Sequence, residues 1–199
     1  MANKARPGRS HDFRAGLVCA EAFQRLAEPF VSRIARDVKE CPQHPSSDFG
    51  DLVACATNLA FALELYIKTL LAQLAVSVPS HHHLRQLYDA LPQEIRADIG
   101  KTYAAVRAQW HGRCASVTFA KGPADTPSWG EYVNVPMDLE SLLERSSDLF
   151  QSWRYIYEVT IPEDSQYQFH QFEYGPLLRA CDAVKAACTK RLAEDSGAF

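Results

Sequence analysis

Apolar residues recur along the first part of the chain at two densities, and the contrast predicts two helices of different exposure. From His11 to Glu40, Phe13, Leu17, Phe23, Leu26, Phe30, Ile34 and Val38 return at three-, four- or six-residue steps. Such spacing lines one face of an amphipathic helix. Pro29 lies inside it, lacks an N–H, and is expected to kink the helix or divide it in two. The run Cys41-Pro42-Gln43-His44-Pro45-Ser46-Ser47 then breaks the pattern.

From Asp51 to Val76 the chain is apolar on nearly every side. A helix of that kind must be enclosed by others. Its roughly 26 residues would extend about 40 Å, enough to span a domain. Asp48 or Asp51 can cap its first turn. Ala54, Ala56, Ala60 and Ala62 leave room for close neighbours. This stretch is the predicted core of the fold.

Beyond Val78-Pro79-Ser80, a short helix is predicted from His83 to Leu91. Pro92 suits the first turn of the next, which presents Ile95, Ile99, Tyr103 and Val106 and runs to Trp110. Residues 111–136 hold several Gly and Pro, and Val117-Thr118-Phe119 could pair with Tyr132-Val133-Asn134-Val135. A connection this long is functional or mobile. Asp138 caps a helix expected to continue to Tyr157, closed by Pro162. The aromatic stretch Tyr167 to Tyr174 reads as an extended segment over the bundle, and a last helix covers Pro176 to Ala193. The fold class is therefore all-α: an up-and-down bundle of four to five main helices around a central apolar helix, with a long loop or short hairpin inserted at 111–136. One domain covers 11–199, after a loose basic leader at 1–10.

Composition supports this reading. The chain has 199 residues, 47% hydrophobic and 23% charged, as a globular domain does. The net charge of -3 excludes a surface that is basic all round, so any nucleic-acid contact must be local. Within residues 1–40, eight Lys and Arg outnumber five Asp and Glu, which a solvated helix face and a basic leader explain. The six cysteines show no C-x-x-C pair and read as small apolar side chains. The N-terminus lacks a signal-peptide core, and Asn58, Glu64 and Lys68 interrupt the longest apolar run, so the expectation is a cytoplasmic protein away from membranes.

Three features could carry chemistry. Glu64 and Lys68 stand one turn apart in LELYIKTLL, the favourable order for a helix ion pair. So apolar a helix keeps charges either as a pair reaching the rim or because they meet partners on another helix. In Trp153-Arg154-Tyr155-Ile156-Tyr157-Glu158, an Arg between aromatics can stack or pair with Glu64 or Glu158. His81-His82-His83 suggests metal, but adjacent helical residues point about 100° apart and cannot share one ion, so a capping or core-contacting role fits one of them better and transient surface metal binding the rest. No Glu-x-x-His pair, phosphate-binding Gly-rich loop or G-x-S-x-G motif is present. No metal and no cofactor is expected.

Together, the run Asn58 to Lys68, the stretch His82-His83-Leu84-Arg85-Gln86-Leu87-Tyr88 ending at Leu91-Pro92, and Trp153 to Glu158 resemble the HEPN superfamily of helical bundles, closest to its bacterial stand-alone members. The resemblance covers roughly residues 50–160. It implies a bundle of four or five helices, homodimerisation, and roles in RNA cleavage, nucleotide binding, or prokaryotic defence and toxin–antitoxin systems. Active members carry Arg-x(4–6)-His on a late helix, where Arg holds the phosphate and His moves a proton. Here Arg154 has no histidine after it until His170, Arg107 to His111 is one residue short, and Arg6 to His11 lies in the leader. The favoured reading is a non-catalytic dimer binding RNA, a nucleotide or a protein partner through Glu64, Lys68, His82, Arg154, Tyr155 and Glu158. One alternative is a metal-independent endoribonuclease with a rearranged site drawn from Arg154, His82, Arg107 and His111. The other is a structural subunit without ligand.

Overall fold

The computed structural model describes residues 12–40, 49–107, 113–120, 128–133, 137–158 and 167–196. The leader, the break at 41–47, and His111 lie outside them. The fold is an all-α, up-and-down bundle around one central helix, with a small antiparallel sheet attached.

The first helix, α1 (Phe13–Glu40), is one helix and not two. Pro29 and Arg25, the residue whose carbonyl loses its N–H partner, both lie on the exposed side. Water can serve that carbonyl, so the break expected of an interior proline is avoided. The buried face is also rotated from the expected one: Ala20, Ala27 and Val31 are innermost, whereas Leu26 is 56% exposed. Small residues face the centre because α1 lies close to the core helix. A Cβ built on Gly16 would stand 2.5 Å from Thr69 Oγ1, closer than any real contact.

That core helix is α2 (Phe49–Gln73). Leu52, Leu59, Leu63, Tyr66, Ile67 and Leu70 are all essentially inaccessible. Each such side chain contributes about 1.5–3 kcal/mol on burial. By length and composition alone Gly50–Gln73 could cross a membrane; here its sides are covered by neighbouring helices. Its α1 partner runs antiparallel, with Arg33 paired to Asp51 at one end and Cys55 Sγ 3.9 Å from the Ala27 carbonyl further along. The helix stops in a Schellman turn: Val76 N–H donates to Leu71 and Ala75 N–H to Ala72. Ala75 takes the left-handed position with φ 55°, a place that favours glycine.

The last helix, α7 (Tyr174–Ser196), lies parallel to α2. Cys181 Sγ approaches the Leu59 carbonyl at 3.7 Å, and Cys188 Sγ the Tyr66 carbonyl at 3.4 Å. Burial pushes the Cys188 thiol up to about 12 and raises Cys55 and Cys181 as well, so these thiols act as apolar packing groups. Gln24 ties three helices together. It accepts from the Tyr66 hydroxyl at 2.8 Å and donates to Asp182 at 2.8 Å.

Between them come α3 (Leu84–Asp89) and α4 (Gln93–Arg107). The insertion forms a hairpin, β1 (Arg113–Ala120) with β2 (Ser128–Val133), and Val117 stands opposite Trp129. The helix expected from Asp138 to Tyr157 is instead divided into α5 (Leu139–Arg145), α6 (Leu149–Arg154) and a single 3₁₀ turn, Ile156–Glu158. Ser147 stands at the division. Ser147 Oγ donates to the Leu143 carbonyl at 3.1 Å, a local bond that competes with helix continuation. The freed Ser147 carbonyl and hydroxyl then accept from the Leu84 and Arg85 amides, both at 3.4 Å, and so cap α3 from outside. The expected extended segment is a strand, β3 (Tyr167–Phe172), which pairs with β1 to give the order β2-β1-β3. Phe172 packs edge-on against Trp153 with ring centroids 4.9 Å apart, fastening the sheet to α6.

Candidate functional site

Glu64 is the most demanding residue of the core, a carboxylate only 2% exposed on an apolar helix. Two side chains meet it. Lys68 donates to Oε1 at 2.8 Å from one turn along, and His82 Nδ1 lies 2.9 Å from Oε1 and 3.0 Å from Oε2. His82 belongs to the connection before α3, whose start is held by Ser147. The α5–α6 break therefore positions the imidazole over the carboxylate. Both readings of the Glu64–Lys68 pair hold together: it is intrahelical, and it has a partner from another element.

From His82 the cluster continues outwards through Phe150. The imidazole sits 5.7 Å from that ring, which stacks on Phe61 at 5.0 Å. On the same ring rests the Arg154 guanidinium, 4.7 Å from the centroid, and it lies 4.3 Å from the Tyr155 centroid as well. Arg154 also donates to the Tyr155 hydroxyl. It does not pair with Glu64, whose partners are Lys68 and His82. Arg154 and Tyr155 are exposed, so the cluster grades from a dry carboxylate to a solvated cation on aromatic rings. Glu158 is exposed in the turn that follows.

The three adjacent histidines have diverged. His82 faces Glu64, and His83 Nδ1 pairs with Asp148 at 2.7 Å. His81 stands beside His83, ring centroids 5.6 Å apart. Among the described residues no group of three or more His, Cys, Asp or Glu side chains gathers as a metal site would require.

Arg107 lies apart from this cluster. It lines a cleft of about 1030 Å³ between α3, α4 and α5, together with Arg85, Arg96, Arg145, Tyr88 and Tyr103. None of the other predicted site residues lines it. Arg85 is bound to Asp89 at 2.8 Å and to Glu140 at 3.0 Å, and Arg145 pairs with Glu173 at 3.0 Å. Arg107 instead donates to a carbonyl, that of Met137, with its guanidinium 5.9 Å from the Tyr103 ring centroid. Burial pushes the Tyr103 phenol up to about 12, with Arg107 pulling the other way. Sequence reasoning passed over this cleft because its arginines are scattered from 85 to 145 and fall into no motif. Only the helical spacing of Arg96, Tyr103 and Arg107, at seven and four residues, hinted at one face.

Comparison with protein-family models, curated proteins and solved structures finds no match to this chain.

Proposed function

We propose that this chain is a HEPN-like helical bundle that binds RNA or a nucleotide without cleaving it, and that it works as a homodimer of the bacterial defence or toxin–antitoxin type. The binding reading is carried by the Arg154 guanidinium resting between the Phe150 and Tyr155 rings at the surface, beside the half-exposed His82. A cation set on aromatic faces is suited to a phosphate with an unstacked base beside it. The non-catalytic reading is supported by the sequence after Arg154, where no histidine follows at the spacing that RNA cleavage uses. The dimer is supported by the family resemblance.

The test is fluorescence anisotropy with a labelled single-stranded RNA, run beside a gel assay for cleavage. Wild type binds with an affinity that falls as salt rises. Arg154→Ala weakens binding roughly tenfold, the scale of one lost stacking and phosphate contact, and the RNA stays intact. RNA cut by wild type but not by Arg154→Ala or His82→Ala would establish the rearranged endoribonuclease instead. No binding by wild type would leave a structural subunit. Sedimentation of the free protein reads the dimer separately.

A further inference from the structure

The cleft between α3, α4 and α5 carries more hydrogen-bond donors than the protein satisfies. Tyr103 is 1% exposed on its wall; its phenolic oxygen has the Arg107 guanidinium beside it, which can only donate, so the O–H finds no acceptor within the protein. The Arg96 Nε is in the same state, although one terminal nitrogen of that side chain reaches Asp89 at 3.2 Å. Arg107 spends one bond of its five-donor fork on the Met137 carbonyl. A buried donor left without an acceptor is unfavourable, and native proteins leave few of them.

The acids that line the cleft lie near enough for Asp138 to feel the Arg107 charge, but they accept no hydrogen bond from these donors. Asp138 is turned to its own helix, accepting from the Ser141 amide at 2.7 Å, and Glu140 is held by Arg85. Glu144 is exposed at the rim. The α4 wall is meanwhile kept low by Ala97, Gly100 and Ala104. Gly100 is the informative one. A glycine inside a helix costs about 1 kcal/mol relative to alanine, yet a Cβ at this position would meet nothing within 4 Å. No packing neighbour requires it, and its effect is to leave the cleft open.

We propose that this cleft binds a small phosphate monoester, with Arg107 and Arg96 as the guanidinium forks for the phosphate, Tyr103 as a further donor, and the Ala97–Gly100–Ala104 wall receiving the organic part. Arginine forks match phosphate oxygens in pairs, and the volume exceeds what inorganic phosphate alone would occupy. The proposal does not depend on the RNA-binding face, which uses none of these residues.

The experiment is isothermal titration of the full chain with ribose 5-phosphate, with inorganic phosphate, ribose and citrate as comparison probes. Ribose 5-phosphate should bind saturably, more tightly than inorganic phosphate, and ribose should not bind. Arg107→Gln should weaken ribose 5-phosphate at least tenfold. Gly100→Leu, whose side chain enters open space, should abolish binding while the circular dichroism spectrum stays helical. Arg154→Ala should leave this titration unchanged, so that failure here and failure at the RNA face are told apart. The proposal is overturned if neither phosphate probe binds at millimolar concentration, if citrate binds in their place, or if both cleft variants bind as wild type does.

Discussion

Two polar regions lie on either side of α3, and they solve opposite problems. Around Glu64 a single buried carboxylate is met on both oxygens, by Lys68 and His82. In the α3/α4/α5 cleft the balance is reversed: four arginines share an open volume, and two donors on its wall have no acceptor. A charge placed in a dry bundle must be matched by the protein itself, because its desolvation is severe. Donors left over beside an open cleft are completed from outside. The closed and complete surroundings of Glu64 read as architecture that supports the exposed Arg154 face, and the open, incomplete cleft reads as a second binding site.

The strongest way to separate the two is to take away the partners of Glu64. The double variant Lys68→Ala with His82→Ala leaves the carboxylate without a cation, and should cost about 3–5 kcal/mol in urea unfolding. Adding Glu64→Met to that background should recover most of the loss, since an apolar side chain of similar length needs no partner. A double variant that loses less than about 1 kcal/mol would mean that water reaches the carboxylate, and the distinction between the two regions would fail.

At the mouth of the cleft the expected effect is smaller and depends on pH. Asp138 caps α5, and hydrogen bonds from Ser141 hold its carboxyl below the ordinary 3.8. A depressed folded-state pKa contributes stability above the unfolded value, and that stability is lost as pH falls through the folded one. Asp138→Ala should therefore cost about 1 kcal/mol near neutrality. The difference from wild type should shrink as the pH drops below about 3.8. A difference that persists undiminished in acid would assign the loss to packing instead of to the charged cap.

These two regions were not equally legible in the sequence. Glu64 and Lys68 stood out because charge on an apolar helix is anomalous, and His82 because it belongs to a run of three histidines; both features could be seen locally. The α2 core followed from its composition, and the amphipathic pattern of α1 fixed its helical state. It did not fix which face is buried: Leu26 is outside because Ala20, Ala27 and Gly16 allow close approach to α2, a tertiary effect. The α5–α6 break was hidden for a similar reason. Ser146 and Ser147 are compatible with a helix on propensity, and it is the bonds of Ser147 to Leu143 and to α3 that decide. β3 read as extended, but its pairing with β1 joins residues some fifty positions apart, beyond any local pattern. The cleft was least visible of all, since it is assembled from three helices.

Within the cleft wall, Gly100→Ala should raise stability by about 0.5–1 kcal/mol in urea unfolding, the helix-propensity difference with no steric penalty against it. A loss of stability would show that the position is packed and that the glycine is there for structure.

The smallest effect is the most discriminating. In an ordinary core, removing a hydrogen-bonded tyrosine hydroxyl costs about 1 kcal/mol or more. The Tyr103 hydroxyl is buried with only the donor Arg107 beside it and no acceptor for its proton, so its removal takes away a polar group that the fold leaves half used. Tyr103→Phe should therefore leave stability within about 0.5 kcal/mol of wild type, or slightly raise it. The same variant should bind ribose 5-phosphate several-fold more weakly, because it lacks a donor that the phosphate would meet. A structural hydroxyl would give the opposite pair of results, lower stability with unchanged binding. The two measurements on one atom thus decide whether this cleft is, like the Glu64 cluster, complete in itself.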